Sequence, residues 1–231
     1  VDGVPIVDNA IRYNHKIFIC NFLSILIKMK KMDMAWVACA FLLVLFLNTY
    51  FNLTSGVALN EDGTTVEEKF YLAGPDPYYN MRLVVKTMEN GTYPFIGGAH
   101  GGLDPLLNYP LGGTGGRPPL FNMLTIGVGK FLTLFMDETD AIGYAMQFLP
   151  ALYGALLVIP VYFIGKLIFN RKVGIISALF IALIPIHLSS GHGSAYSLYD
   201  HDSFILLLAS TTIMFLLLSL KEKTEWMNGQ N

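Results

Sequence analysis

Apolar residues gather into five stretches, at 34–53, 118–136, 141–169, 173–190 and 203–220. Each approaches or exceeds the roughly 20 residues a helix needs to cross about 30 Å of hydrocarbon. The second stretch differs from the others. Asn122, Thr125, Gly129 and Thr133 recur there at steps of three and four, which predicts a helix with one polar stripe. Such a helix is expected to lie at the membrane interface or to pack on other helices rather than to cross. A further apolar run, Ile17 to Ile27, is too short to span. Residues 1–33 are read as a tail of uncertain origin.

Flanking charges support four crossings. Lys28, Lys30 and Lys31 precede the first stretch and place its start in the cytoplasm. Were 118–136 also a crossing, the acidic turn Asp137-Glu138-Thr139-Asp140 would be inside and the basic turn Asn170-Arg171-Lys172 outside, against the positive-inside tendency. Leaving it out restores the order, with 141–169 running inward, 173–190 outward, and 203–220 inward to Lys221 and Lys223. Residues 54–140 then form one long external loop, and the turn around Asp200 shares that face.

Composition agrees with a lipid environment: 53% of residues are hydrophobic, 14% are charged and the mean hydropathy is +0.50. Soluble domains carry about a quarter charged residues. The net charge of −2 includes no basic tail for nucleic acid. Cys20 and Cys39 are not placed for a disulfide or a zinc site. Pro150, Pro160 and Pro185 fall inside apolar stretches and are expected to mark kinks.

Four motifs carry candidate chemistry. In Gly74-Pro75-Asp76-Pro77-Tyr78-Tyr79-Asn80-Met81-Arg82, Asp76 reads as a helix N-cap with Pro77 at the first helical position. Met81, Val84, Val85 and Met88 then form an apolar stripe, with Arg82, Lys86 and Glu89 facing away and Gly91 closing the helix. A capping carboxylate can still offer its second oxygen to a cation. In Tyr199-Asp200-His201-Asp202-Ser203, two carboxylates and a histidine crowd the start of the last apolar stretch. Along an extended segment Asp200 and Asp202 point the same way and can share one hard cation, Mg²⁺ or Mn²⁺, while His201 points elsewhere. A simple cap by Asp202 or Ser203 is the plainer alternative.

The loop 97–117 holds eight glycines and ends at Arg117. It is either a flexible connector or a backbone that closes on phosphate, with Arg117 as a cationic fork. His100 and Asp104 lie in the same loop. Ser190-Gly191-His192-Gly193-Ser194 offers His192 as a donor contact, against ordinary loop exposure. Asn52-Leu53-Thr54 and Asn90-Gly91-Thr92 are glycosylation acceptor patterns.

In sequence order, G-x-D-P-Y-Y-x-x-R, Y-P-x-G, P-P-L-F, L-P-A, I-P-V-Y and D-x-D resemble the oligosaccharyltransferase catalytic subunit family, archaeal AglB and bacterial PglB, over residues 34–220. The resemblance implies an all-α polytopic membrane protein of the GT-C glycosyltransferase class. It implies inverting transfer of an oligosaccharide from a dolichol-type lipid-phosphate carrier to the Asn of an N-x-Ser/Thr acceptor polypeptide. It also implies a divalent metal, Mg²⁺ or Mn²⁺, held by Asp76, Asp200 and Asp202, acting as a Lewis acid on the leaving phosphate. Asp76 would in addition accept a hydrogen bond from the acceptor amide. Arg117 and His192 are the candidate donor-phosphate contacts, although relatives place a histidine at the position of Gly116. Some relatives carry an arginine where Gly193 stands. The family's second external acidic motif and its W-W-D-Y-G sequon-reading motif do not occur; Trp36 and Trp226 are the two tryptophans. The chain therefore reads as an N-terminal part, inactive alone. The location implied is the cell membrane with the acidic loops outside, or the endoplasmic reticulum with the loops luminal. Another GT-C enzyme using a polyprenyl-phosphate sugar, a transporter subunit, which would place ionisable groups at mid-membrane, and a structural membrane subunit are the competing readings.

Overall fold

The computed structural model describes residues 29–55, 72–94, 103–107, 109–114, 117–184 and 193–228. Helices dominate them: α1 Lys31–Ser55, α2 Pro75–Asn90, α3 Pro119–Leu132, α4 Glu138–Leu156, α5 Val158–Ile168, α6 Arg171–Leu183 and α7 Asp202–Asn228. Among the described residues, three stretches are long and apolar enough to cross a membrane: Lys31–Tyr50, Glu138–Ile168 and Asp202–Lys221. The all-α membrane architecture read from the sequence is the one observed. α6 covers the first part of the 173–190 stretch, whose residues 185–190, Pro185 among them, lie outside the described residues.

Local rules account for the helix ends. Asn170 caps α6 by accepting the Val173 N–H at 3.1 Å. Gly91 closes α2 in the left-handed conformation at φ 69° and donates to the Thr87 carbonyl at 2.9 Å. The long apolar stretch from Glu138 breaks at Leu157, between α4 and α5. Three residues on, Pro160 has no N–H to give to the Leu156 carbonyl, and the helical ladder fails there. Pro150, by contrast, sits within an uninterrupted α4.

α2 begins two residues earlier than the sequence reading places it. Gly74 precedes it at φ 101°, Pro75 is the first helical residue, and Asp76 makes no capping bond. The conformational freedom of Gly74 and the preset φ of Pro75 start the helix without a side-chain cap, which leaves the Asp76 carboxylate free for other partners. The buried face of α2 is also rotated from the apolar stripe. Pro77, Asn80, Leu83, Val84 and Thr87 are buried, whereas Val85 is exposed. Two polar residues can go inside because the Asn80 amide reaches the Tyr199 carbonyl and the Thr87 hydroxyl reaches the Leu83 carbonyl.

α3 is 14 residues long, about 21 Å at 1.5 Å per residue, short of a hydrocarbon layer of roughly 30 Å. Its polar stripe turns inward, burying Asn122, Thr125 and Gly129 against α4. A Cβ at Gly129 would overlap the Ile142 side chain, so glycine allows that close approach. Leu120, Met123, Leu124, Val128 and Phe131 remain exposed. Part of the glycine-rich loop forms a two-residue antiparallel ladder, Leu103–Asp104 with Gly113–Thr114 (β1 and β2).

Two apolar clusters hold the bundle. One packs Phe121 of α3 and Ile142, Met146 and Tyr153 of α4 around Tyr199 and Phe204. The other joins α1, α5, α6 and α7 through Val44, Val158, Tyr162, Ala178 and Met214. At the far end of this second cluster Asp33 is buried, accepting from the Tyr162 hydroxyl at 2.7 Å and from Arg171, with Lys166 at 3.7 Å. A buried carboxylate so close to the start of a span is tolerable because these partners replace its lost water.

Candidate metal centre

The segment that delivers Asp200 is buried from Gly193 onward. Its backbone pairs with two helices and with the stretch just before α2. The Tyr196 N–H reaches the Asn48 carbonyl of α1 at 3.0 Å, and the Ser197 N–H reaches the Gln147 carbonyl of α4 at 2.9 Å. The Ser197 carbonyl accepts from the Ala73 N–H at 3.0 Å, just before α2. Ser197 itself takes φ 69°, a left-handed turn that a serine adopts only where its surroundings hold it. Backbone pairing of this kind fixes Asp200 in space more firmly than an exposed loop allows.

Asp200 is 2% exposed. One of its oxygens, Oδ1, accepts from the His201 backbone N–H at 2.7 Å and from the Arg117 guanidinium at 2.8 Å, and lies 2.6 Å from His201 Nδ1. Burial pushes the Asp200 pKa up, but the His201 backbone N–H, the His201 ring and Arg117 together outweigh it and hold the carboxyl below its ordinary range. Asp202 begins α7, with its Oδ1 4.0 Å from His201 Nε2. Asp200, His201 and Asp202 thus offer two carboxylates and an imidazole whose donor atoms lie within 4.8 Å of one another. His201 does not point away, as the alternation of an extended strand would require. The chain bends at His201 and enters α7 at the next residue, so a repeat of two does not apply there.

Asp76, in the first turn of α2, meets the same group. Its Oδ1 accepts from the second terminal nitrogen of Arg117 at 2.6 Å. Arg117, two residues before α3, therefore joins carboxylates 41 and 83 positions away, one with each terminal nitrogen. Its guanidinium also lies 5.4 Å from the centre of the Tyr79 ring, a cation–π distance. Four of the five residues singled out in the sequence, Asp76, Arg117, Asp200 and Asp202, converge here; the fifth, His192, lies outside the described residues.

Around them are groups to which the sequence reading gave no role beside the site. Asp104 is fully buried in β1 and paired with Arg82, whose guanidinium lies 5.4 Å from the centre of the Tyr79 ring. Tyr199, Asn122 and Tyr93 form a buried hydrogen-bonded chain. Nothing local to these polar residues distinguishes them from exposed ones.

The donor set fits a divalent cation. Carboxylate oxygens with one imidazole suit Mg²⁺, Mn²⁺ or Zn²⁺, and two acids meeting at a single guanidinium show that this point in the fold calls for positive charge.

Known proteins share parts of this sequence and its fold. The dolichyl-monophosphooligosaccharide–protein glycotransferase AglB of Haloferax volcanii is 28% identical over 145 residues, which is 62% of this chain and 12% of that protein. The dolichyl-phosphooligosaccharide-protein glycotransferase 2 of Archaeoglobus fulgidus is 30% identical over 131 residues, 56% of this chain and 20% of that one. This chain thus spans between an eighth and a fifth of the length of these relatives. Solved structures of an A. fulgidus oligosaccharyltransferase share the fold. The apo form has a TM-score of 0.65 at 22% identity, over 84% of this chain and 20% of that one. A complex of that organism's AglB with an inhibitory peptide and a dolichol-phosphate gives 0.62 at 22% identity, over 81% and 20%. A complex with Zn and sulfate gives 0.60 at 23% identity, over 79% and 21%. The fold is therefore the GT-C membrane fold of those proteins. A family model described as oligosaccharyl transferase STT3, N-terminal, matches residues 64–229; the chain belongs to the STT3 oligosaccharyl transferase family and corresponds to its N-terminal region.

Proposed function

We propose that this chain carries part of the catalytic centre of a protein N-glycosylation enzyme. The reaction is transfer of an oligosaccharide from a dolichol-type lipid-phosphate carrier to the side-chain amide of Asn in an N-x-Ser/Thr acceptor. The observation that carries this reading is the convergence of Asp76 and Asp200 on Arg117, beside Asp202 and His201. Three acids from two distant segments are gathered at the mouth of a membrane bundle, where a lipid-linked donor and a polypeptide acceptor can both arrive.

Asp200 and Asp202 would hold a divalent metal, Mn²⁺ or Mg²⁺, with Asp76 as the third ligand and the His201 imidazole as a further donor. When bound, such an ion supplies Lewis-acid stabilisation of the negative charge that develops on the leaving phosphate. The side chains supply the rest. Asp76 is half exposed and has one oxygen not engaged by Arg117, so it can accept a hydrogen bond from the acceptor amide and orient its nitrogen toward the anomeric carbon. A single displacement from the face opposite the phosphate inverts that carbon. Arg117 retains N–H groups beyond the two committed to carboxylates, and these, with His192, are the proposed donor-phosphate contacts. The acidic segments lie on the outer face of the membrane, with Lys166, Arg171 and Lys172 on the cytoplasmic side.

The test is substitution of Asp76, Asp200 and Asp202 singly by alanine in the protein at its natural length. Metal-dependent transfer to a sequon peptide should fall about a hundredfold or more in each, the scale of losing an electrostatic or metal-holding group. Activity near that of the unmodified protein in all three would overturn the assignment.

A further inference from the structure

Ion pairs alone do not place three carboxylates to within a few tenths of an ångström. The Arg117 side chain is 23% exposed and that of Asp76 51% exposed, and partly hydrated pairs of this kind tolerate rearrangement. A more rigid connection lies directly beneath them. Tyr199, the neighbour of Asp200 along the chain, is fully buried. Its hydroxyl donates to Asn122 Oδ1 at 2.8 Å, and Asn122 Nδ2 donates in turn to the Tyr93 hydroxyl at 2.8 Å. The Tyr199 carbonyl accepts from Asn80 Nδ2 at 3.2 Å. Both asparagines are wholly buried, and the Phe121 ring stacks on Tyr199 with centroids 4.8 Å apart.

The chain positions of these groups matter. Asn80 stands one helical turn after Asp76 on α2. Asn122 stands five residues after Arg117, on α3. Tyr199 adjoins Asp200. Each segment that brings a charged group to the centre also sends a buried polar group to one tyrosine. An apolar core does not need them, since leucine at 122 and phenylalanine at 199 would fill similar volume among Phe121, Phe204 and Ile126. Polar groups in such a core are justified by the single arrangement they enforce.

We propose that Tyr199 and Asn122, with Asn80 on the Tyr199 carbonyl, are positioning residues that hold Asp200 in register with Asp76 and Arg117 and thereby tune metal binding at the centre. This inference rests on the metal-holding role given to Asp76, Asp200 and Asp202 above. None of the three network residues touches the reacting atoms; they act through the carboxylates.

The experiment measures Mn²⁺ affinity directly, from the electron paramagnetic resonance signal of free Mn²⁺ titrated into the purified protein at its natural length, below the melting temperature of each variant. Tyr199→Phe removes only the hydroxyl, and Asn122→Leu keeps the volume. Each should raise the Mn²⁺ dissociation constant about tenfold or more, the usual scale for groups that orient metal ligands. The double variant should be no worse than either single one, because both break the same link. Affinity within about twofold of the unmodified protein in folded Tyr199→Phe overturns the proposal, even if its melting temperature falls; if Asn122→Leu does not fold, Tyr199→Phe decides alone. Single effects that simply add in the double variant overturn it too. Failure of the metal assignment looks different: Asp200→Ala and Asp76→Ala would then also leave Mn²⁺ binding unchanged. If those two abolish binding while Tyr199→Phe does not alter it, only the positioning role falls.

Discussion

Replacing Arg117 by methionine keeps an unbranched side chain, shorter than arginine, but removes the cation that joins Asp76 to Asp200 and lies over the Tyr79 ring. The contact with Asp200, at 2.8 Å to a carboxylate that is almost wholly buried, is a charge-assisted hydrogen bond worth about 1.5–3 kcal/mol. The contact with Asp76, at 2.6 Å but half exposed, contributes at most about 1 kcal/mol after solvent screening. Together the loss is about 2–4 kcal/mol, which at roughly 1.36 kcal/mol per tenfold corresponds to roughly a 30- to 900-fold weakening of the assembled arrangement. Transfer to a sequon peptide, measured as kcat/KM over a range of Mn²⁺ concentrations, should fall within that window in Arg117→Met. In Arg117→Lys a single ammonium nitrogen cannot serve two carboxylates held by separate guanidinium nitrogens, so an intermediate loss is expected. Stability adds a second check. Asp200 has a lowered pKa when folded, so its stabilisation is present above the ordinary carboxylate pKa of about 3.9 and is lost as the pH falls through the lowered value. The difference in melting temperature between Arg117→Met and the unmodified protein should therefore shrink below about pH 4. Retention of kcat/KM within about threefold in Arg117→Met, alongside its loss in Asp200→Ala, would refute the reasoning.

Two further outcomes test the fold that supports the centre. A Cβ at Gly174 would stand 2.7 Å from the Tyr162 carbonyl oxygen and 3.0 Å from Lys166 Cβ, so Gly174→Ala must force α5 and α6 apart. A loss of about 1–3 kcal/mol in detergent unfolding is expected, with Gly127→Ala, where a Cβ meets nothing within 4 Å, as the control that is not destabilised; equal stability of the two variants would contradict the close packing. Sidedness is checked in a Cys20→Ser, Cys39→Ser background by Tyr109→Cys and Phe169→Cys, both at exposed positions. An impermeant thiol reagent added to intact cells should label the first and not the second, and labelling of both would remove the arrangement of 54–140 on the outer face.

Much of the architecture follows from patterns that act locally. Apolar length, a polar stripe at helical spacing, and glycine or proline at helix ends report how a segment partitions between lipid, water and protein, and these hardly depend on distant residues. Hence three of the four expected crossings appear as span-length apolar stretches among the described residues, and the short α3 and the closing Gly91 were legible in the amino-acid order too, as were Asp76, Arg117, Asp200 and Asp202 as charged groups in suggestive places. Their partners were not. Whether Asp76 caps α2 or faces Arg117 depends on where Gly74 lets the helix begin. Whether His201 joins Asp200 depends on a bend one residue before α7. The inward turn of Asn122 and the burial of Asp33 require the groups that satisfy them, 77 and 129 positions away. A hydrogen bond or an ion pair is decided by distances of a few tenths of an ångström between remote segments, and those distances exist only once the helices have packed.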